Sequence, residues 1–250
     1  MIYLLFILGT ILGSFFLVVG TRLPLKENII TSRSKCDNCD YTLKWYNLIP
    51  LISFIFQKGR CTECKNKIAI AHIIVEIFTG LGFSLLYLFF GFSYLFWGGL
   101  IIYSLLIIII ITDMKYMIIL DSPLIITTLL FLIIQIIYLE SYQEILVRFI
   151  SGISLFLLMY GIKLLGDLIF KRESLGGGDI KLSFVIGYIL GFRLSLIALI
   201  LSSFLALPAS TLSLFNKNKE VPYGPFLTGS LFIVFIFADK FINMLSYFIL

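Results

Sequence analysis

The chain has 250 residues, 60% of them hydrophobic and only 13% charged, with a mean hydropathy of +1.08. A soluble domain carries roughly 25% charged residues, so a water-soluble globule is excluded and an integral membrane protein is expected. The net charge of +5 is modest, and no basic helix is interleaved with aromatic residues, which argues against nucleic acid as a direct partner.

Taken in order, the apolar stretches predict an all-α, polytopic transmembrane helix bundle of about eight spans: Ile2–Val19, Ile68–Phe90, Tyr94–Ile111, Ser122–Leu139, Ile145–Leu165, Ile180–Leu190, Leu194–Phe215 and Pro225–Tyr247. No A-x-A-like cleavage site follows the first stretch, which is therefore expected to be retained as a helix. The sixth is too short to cross a bilayer alone. The turns Gly91-Phe92-Ser93 and Gly191-Phe192-Arg193 predict tight antiparallel pairs. The chain thus divides into a first span (1–20), a loop domain (21–67) and a membrane core (68–250).

Lysine and arginine placement predicts the orientation. Fifteen of these residues fall in the loops on one side, from Arg22 to Lys67, at Lys115, around the Lys171–Lys181 turn and at Lys217 and Lys219. Only Arg148, Arg193 and Lys240 fall on the other, and Lys163 lies within a span. The crowded side is expected in the cytoplasm, with both termini and the Glu140–Glu144 loop outside.

In the cytoplasmic loop, Cys36-Asp37-Asn38-Cys39 and Cys61-Thr62-Glu63-Cys64 form two CxxC pairs, with 21 residues between them. They fit a tetrahedral four-thiolate zinc knuckle of structural type, because four cysteines leave no open position on the metal. The alternative is two disulfides, which a reducing cytoplasm disfavours. His72, the only histidine, reads as an interfacial side chain at the start of the second span. Glu76, one turn further, is expected to be more deeply buried, either paired with a base or serving the site as an accessory residue.

Two carboxylates sit at one depth. Asp113 closes the third span and Asp179 opens the sixth after Gly176-Gly177-Gly178, with Lys181 following. The glycines are expected to allow positive φ and close backbone approach, and an ionisable group at the edge of a bilayer core marks a functional site by default. Brought together, the two aspartates would share one proton and perform general acid–base hydrolysis of a peptide bond. Asp121 competes with Asp113 as partner, although Asp121-Ser122-Pro123 also reads as a helix cap. Val221-Pro222-Tyr223-Gly224-Pro225-Phe226 reads as a rigid turn. A proton-coupled transporter and a zinc-loop scaffold without chemistry are the other two readings.

In combination these segments resemble the prepilin peptidases, the type IV leader peptidases of the GxGD class of membrane aspartic proteases. The resemblance rests on Gly13-Ser14-Phe15, Arg22-Leu23-Pro24, Ser32-Arg33-Ser34, Trp45-Tyr46-Asn47-Leu48-Ile49-Pro50, Gly59-Arg60, Glu76, Asp113, Gly176 to Lys181 and Tyr223-Gly224-Pro225-Phe226, in order over nearly the whole chain. It implies that Asp113 and Asp179 are the catalytic pair of an enzyme of the bacterial plasma membrane. Such an enzyme removes the basic leader of prepilin or pseudopilin substrates after a glycine. It also implies N-methylation of the new terminus from S-adenosylmethionine, with the large cytoplasmic loop involved. The size and lysine- and isoleucine-rich composition resemble the competence-associated branch in Gram-positive bacteria. Leu17 departs from the family, whose first segment usually carries asparagine there, and His72 stands where an aromatic residue is common.

Overall fold

The computed structural model describes residues 1–29, 33–36, 38–39, 41–138, 141–171, 173–215 and 221–249. Ser32, Asp37, Glu140, Arg172 and positions 216–220, which include Lys217 and Lys219, lie outside the described residues. The architecture is all-α, as expected, and its extended backbone pairs only in two isolated bridges among the described residues. The chain divides into two compact units, Met1–Phe92 and Ser93–Leu250.

The first unit contains α1 (Ile2–Arg22), short 3-10 turns at Leu23–Leu25 and Trp45–Leu48, α2 (Ile52–Phe56) and α3 (Ile70–Phe90). Helices α1 and α3 lie against each other along small residues. A Cβ on Gly9 would stand 2.8 Å from Gly80 Cα, and one on Gly13 would stand 2.9 Å from Thr79 Oγ1 and 3.1 Å from Glu76 Cα. Lipid chains are as apolar as leucine, so helices gain little from hydrophobicity alone and must associate through this kind of close backbone packing. Thr79 adds no polar cost, because its hydroxyl donates to Val75 O at 2.7 Å within the helix.

The second unit contains α4 (Tyr94–Tyr116), α5 (Asp121–Tyr138), α6 (Tyr142–Phe170), α7 (Gly177–Leu190), α8 (Phe192–Phe215), α9 (Gly224–Ile236) and α10 (Ala238–Ile249). Its centre is α7, buried along nearly its whole length from Ile180 to Leu190 and in contact with α5, α6, α8 and α9. A helix apolar all round belongs in such a position. Gly187 permits the α6 crossing, since a Cβ there would meet Ser151 O at 2.6 Å. Arg148 on α6 donates to Ile189 O and so satisfies a carbonyl in the last turn of α7.

Among the described residues six helices are long and apolar enough to cross a membrane: α1, α3, α4, α5, α6 and α8. The chain is a multi-pass membrane protein. The eight predicted stretches are all helical, yet two do not span as straight rods. Helix α7, with 14 residues, reaches about 21 Å at 1.5 Å per residue, short of the roughly 30 Å hydrocarbon layer. The last stretch breaks between α9 and α10 with an 80° bend, and counts as a seventh span only if the pair is taken together. Asp239 and Lys240 fall in the first turn of α10, so these charges stand at a helix start and not within one long apolar helix.

Candidate active site

Asp113 lies in the last full turn of α4, where the helix dipole is unfavourable to an anion. The carboxylate is nevertheless 94% buried, its exposure being 6%. Its compensation comes from another helix. The chain entering α9 is set so that Gly224 N–H donates to Asp113 Oδ2 at 2.9 Å, directing a helix N-terminus, the favourable end for an anion, at the aspartate. Pro225 occupies the first turn of α9, where its missing N–H costs nothing. Tyr223 fixes the same turn, because its hydroxyl lies 2.7 Å from Ser202 Oγ on α8. The Tyr223-Gly224-Pro225 segment therefore does more than end a helix, and glycine at its centre is required: a Cβ at 224 would stand 2.9 Å from Asp113 Oδ2. A glycine–proline pair opening an apolar helix opposite an orphan carboxylate was the available signal.

Asp179 is the third residue of α7, which begins after Gly176. Its Oδ2 lies by Gly176, where an added Cβ would come within 3.2 Å. Its Oδ1 is buried and has no hydrogen-bond partner among the described residues. Asp179 is within electrostatic reach of Asp113, so the two carboxylates that are 66 positions apart in sequence meet in one unit. Ile119, in the turn between α4 and α5, joins their surroundings by touching the positions of both Gly178 and Gly224. The glycine run works differently from expectation. None of Gly176, Gly177 and Gly178 has positive φ; Gly176 is extended at φ −68°, ψ 142°, and the requirement for space falls on Gly178, where a Cβ would stand 2.7 Å from Ile119 Cβ.

Asp121 is separated from this arrangement. It opens α5, is exposed, and forms an ion pair with Lys181 at 2.7 Å to Oδ1 and 2.8 Å to Oδ2. Lys181 thus faces Asp121 from the first turns of α7. A solvent-exposed carboxylate already neutralised by lysine is a poor candidate for proton sharing with Asp179. Asp167 is likewise engaged, accepting from Ser174 N at 2.7 Å and Ser174 Oγ at 2.9 Å across the α6–α7 turn.

In the first unit the four cysteines converge. Cys36 and Cys64 sulfurs are 3.8 Å apart, Cys39 and Cys61 sulfurs 4.0 Å, and all four lie within 4.8 Å of one another. A tetrahedron with bonds of about 2.3 Å has sulfurs about 3.8 Å apart, whereas disulfide sulfurs stand at about 2.05 Å. The cysteines are free, and the spacing fits a metal and not the disulfide alternative. Each pair rides on its own turn, and the two turns share one pattern. Cys36 N donates to Tyr41 O and Cys61 N to Asn66 O, both at 2.9 Å, and the bridges Lys35↔Thr42 and Arg60↔Lys67 flank them at matching offsets. The amides of Cys64 and Glu63 hold the Cys61 thiol down to about 7. Cys39 moves oppositely, to about 12: contact with the Tyr41 backbone favours its thiolate, but burial and the three neighbouring sulfurs outweigh it. A divalent cation would relieve that crowding.

Glu76 is buried as expected but is paired with no base among the described residues: its Oε2 accepts from Leu51 N at 2.9 Å. His72 is exposed at the start of α3. Asn47, which drew no separate attention within its tryptophan-containing segment, is buried, and its Nδ2 has no partner among the described residues.

Residues 7–90 match the bacterial peptidase A24 N-terminal domain and residues 100–211 match the type IV leader peptidase family. The chain is 32% identical to the prepilin leader peptidase/N-methyltransferase of Bacillus subtilis over 97% of each chain. It is 31% identical to that of Myxococcus xanthus over 87% of this chain and 64% of the relative, and 29% identical to that of Neisseria gonorrhoeae over 94% and 90%. No solved structure matches the chain.

Proposed function

The chain belongs to the type IV leader peptidase family, and from that premise we propose that it is a membrane aspartic endopeptidase that removes the leader of prepilin or pseudopilin substrates and N-methylates the new terminus. The observation that carries the peptidase assignment is the buried, unpartnered Oδ1 of Asp179 within electrostatic reach of Asp113. Both are buried or at the mouth of a buried helix, and like carboxylates in such a site hold one proton between them.

In this reading the ionised aspartate takes a proton from the attacking water while the protonated one donates to the carbonyl oxygen of the scissile peptide. The tetrahedral intermediate then collapses as the leaving nitrogen receives a proton, and no covalent enzyme intermediate forms. Gly224 N–H and the N-terminus of α9 hold the Asp113 carboxylate in place. The Gly176–Gly178 segment lets an extended substrate backbone approach, and Lys181 fixes the segment through Asp121. Fifteen lysines and arginines in the loops on one side support a cytoplasmic active site and termini outside; a basic leader with an apolar helix behind it would present its scissile bond at that surface.

Cys36, Cys39, Cys61 and Cys64 would hold a structural zinc ion, which ties two otherwise separate hairpins together. S-adenosylmethionine would supply the methyl group for the second activity. A transporter or an inert scaffold leaves the meeting of Asp113 with Asp179 and the Gly224 contact without a reason.

The test is cleavage of a prepilin with a basic leader in proteoliposomes by wild type, Asp113→Asn, Asp179→Asn and Asp121→Asn. The first two variants are expected to lose at least about 100-fold in rate, while Asp121→Asn stays within a few-fold of wild type. Full cleavage by Asp179→Asn, or loss confined to Asp121→Asn, would reject the pair.

A further inference from the structure

Helices α5, α6, α8 and α9 pack on α7, the helix that carries Asp179, and α4 links α5 to α9. Each helix of this ring packs on the next, α6 on α8, α8 on α9, α9 on α4 and α4 on α5. There is one break. Although consecutive in the chain, α5 and α6 both rest on α7 and make at most marginal contact with each other among the described residues. A cavity of about 570 Å³ occupies this break, walled by Ile125 and Leu129 of α5 and Ile153 and Phe156 of α6, with Lys181 and Phe184 of α7 on its floor. From Ile180 to Leu190 these two floor residues alone escape full burial, so the break is the strip of α7 that its neighbours leave open. Ile125 and Leu129 are more than half exposed, and the cleft therefore opens sideways into the lipid. Its one end lies in the turn of α7 that carries Asp179, where the Asp121–Lys181 ion pair leaves no net charge. Inside it, the Thr128 hydroxyl donates to Leu124 O at 2.8 Å, so the surface on offer is apolar. From Asp121 to Leu129 the cleft runs about 12 Å, a little over two helical turns.

Resting on the reading above, in which the substrate carries an apolar helix behind its scissile bond, we propose that the α5–α6 cleft is where the first two turns of that helix dock. A trough between two helices, with a third as its floor, accepts a fourth by close side-chain packing, and such packing is what associates helices in lipid. Direction selects the substrate over a lipid chain. Helix α7 runs from Asp179 into the bilayer, as does the segment that follows a bond held at Asp179, and the ring around α7 is closed on its other sides. Asp179 and Lys181 stand about 200° apart around the helix axis, so Asp179 points away from the cleft and toward Asp113. The chain between the scissile bond and the docked helix must therefore cross the N-terminus of α7. A helix is about 10 Å across, which about three extended residues cover. Gly177, with nothing within 4 Å of an added Cβ, leaves room for that crossing. The docked helix thus begins about three residues after the cut.

The test uses the full chain in proteoliposomes with a prepilin that has a basic leader. With photoreactive p-benzoylphenylalanine in place of Ile125 or Leu129, cross-links to the start of the prepilin's apolar segment are expected. In place of Ile126, which is as exposed and at the same depth but off the cleft wall, none is expected. Narrowing the cleft by Thr128→Phe, or from the other wall by Ile153→Trp, is expected to raise KM for the prepilin about tenfold with kcat within about threefold, while Ile126→Phe changes neither. A peptide that keeps the leader and scissile bond but ends before the apolar segment has no use for the cleft, and both narrowed variants should treat it as wild type does. Equal loss on prepilin and peptide, the mark of a disturbed fold, would overturn the assignment, as would an unchanged KM in both variants. Cross-links from the cleft that reach only lipid or a second copy of the chain overturn it too. A chain that cleaves prepilin but never cross-links to it from Ile125 or Leu129 loses the dock and keeps the peptidase reading. Cross-linking from both positions in a chain that cleaves nothing keeps the dock and removes the peptidase reading.

Discussion

A Cβ at position 178 would stand 2.7 Å from Cβ of Ile119, whereas a Cβ at 177 would meet nothing within 4 Å. The two glycines look equivalent in the sequence, and both take helical geometry at the start of α7. Gly178→Ala must displace Ile119, which also packs on Gly224, and is expected to cost about 1–3 kcal/mol together with cleavage. Gly177→Ala faces open space at the site and is expected to leave the unfolding midpoint in place while lowering cleavage, because it removes room for a substrate backbone beside Asp179. Thermal unfolding in detergent and cleavage of the same preparations separate the two outcomes. Asp113 shows why the residue scale was only partly legible. Its type and depth were readable, but its partner, Gly224 N–H, belongs to a helix that starts 111 positions later.

At the scale of elements, α1 and α3 meet through Gly9, Gly13, Thr79 and Gly80. The Gly9-x-x-x-Gly13 spacing puts both glycines on one face of α1, and the fit depends on absent side chains. In Gly9→Val the new Cβ would meet backbone, Gly80 Cα and Thr79 O, each at 2.8 Å, and backbone of a packed helix cannot swing aside as a flexible side chain does. The variant is expected to lose about 1–3 kcal/mol, read as a lower unfolding midpoint of the first unit by hydrogen exchange over α1 and α3. Gly161→Ala, with nothing within 4 Å of its Cβ, is the control that leaves exchange unchanged. Among elements, α7 was recognisable as too short to span but its surroundings were not: its all-round apolar surface fits protein as well as lipid, and only contact with α5, α6, α8 and α9 decides between them.

For the molecule as a whole, the unit Met1–Phe92 joins a helix pair to a loop with little regular structure among its described residues: two short 3-10 turns, the five-residue α2 and two isolated bridges. Such a loop orders itself poorly without a cross-link, and four thiolates around one metal ion would provide it. The purified chain is expected to carry about one zinc ion, measured by elemental analysis, and Cys61→Ser with Cys64→Ser to lose it. Limited proteolysis should then cut the 33–67 region while the helices of the second unit stay protected. Retention of a stoichiometric metal by that double variant would remove the cysteine cluster as the site.

Composition and hydropathy by themselves determined that this chain is a helical membrane protein, because a bilayer admits few other ways to satisfy the backbone. Local spacing determined the twin CxxC hairpins, whose geometry depends on five or six adjacent residues. Only the tertiary structure gives Asp121 and Asp113 different surroundings, through the Lys181 ion pair of the one and the Gly224 contact of the other. It also bent the last apolar stretch and put Asn47 and Glu76 on the wall of one cavity. These outcomes depend on groups far apart in the chain, where the energy of a charge or an amide is set by what packs around it and not by its neighbours in sequence.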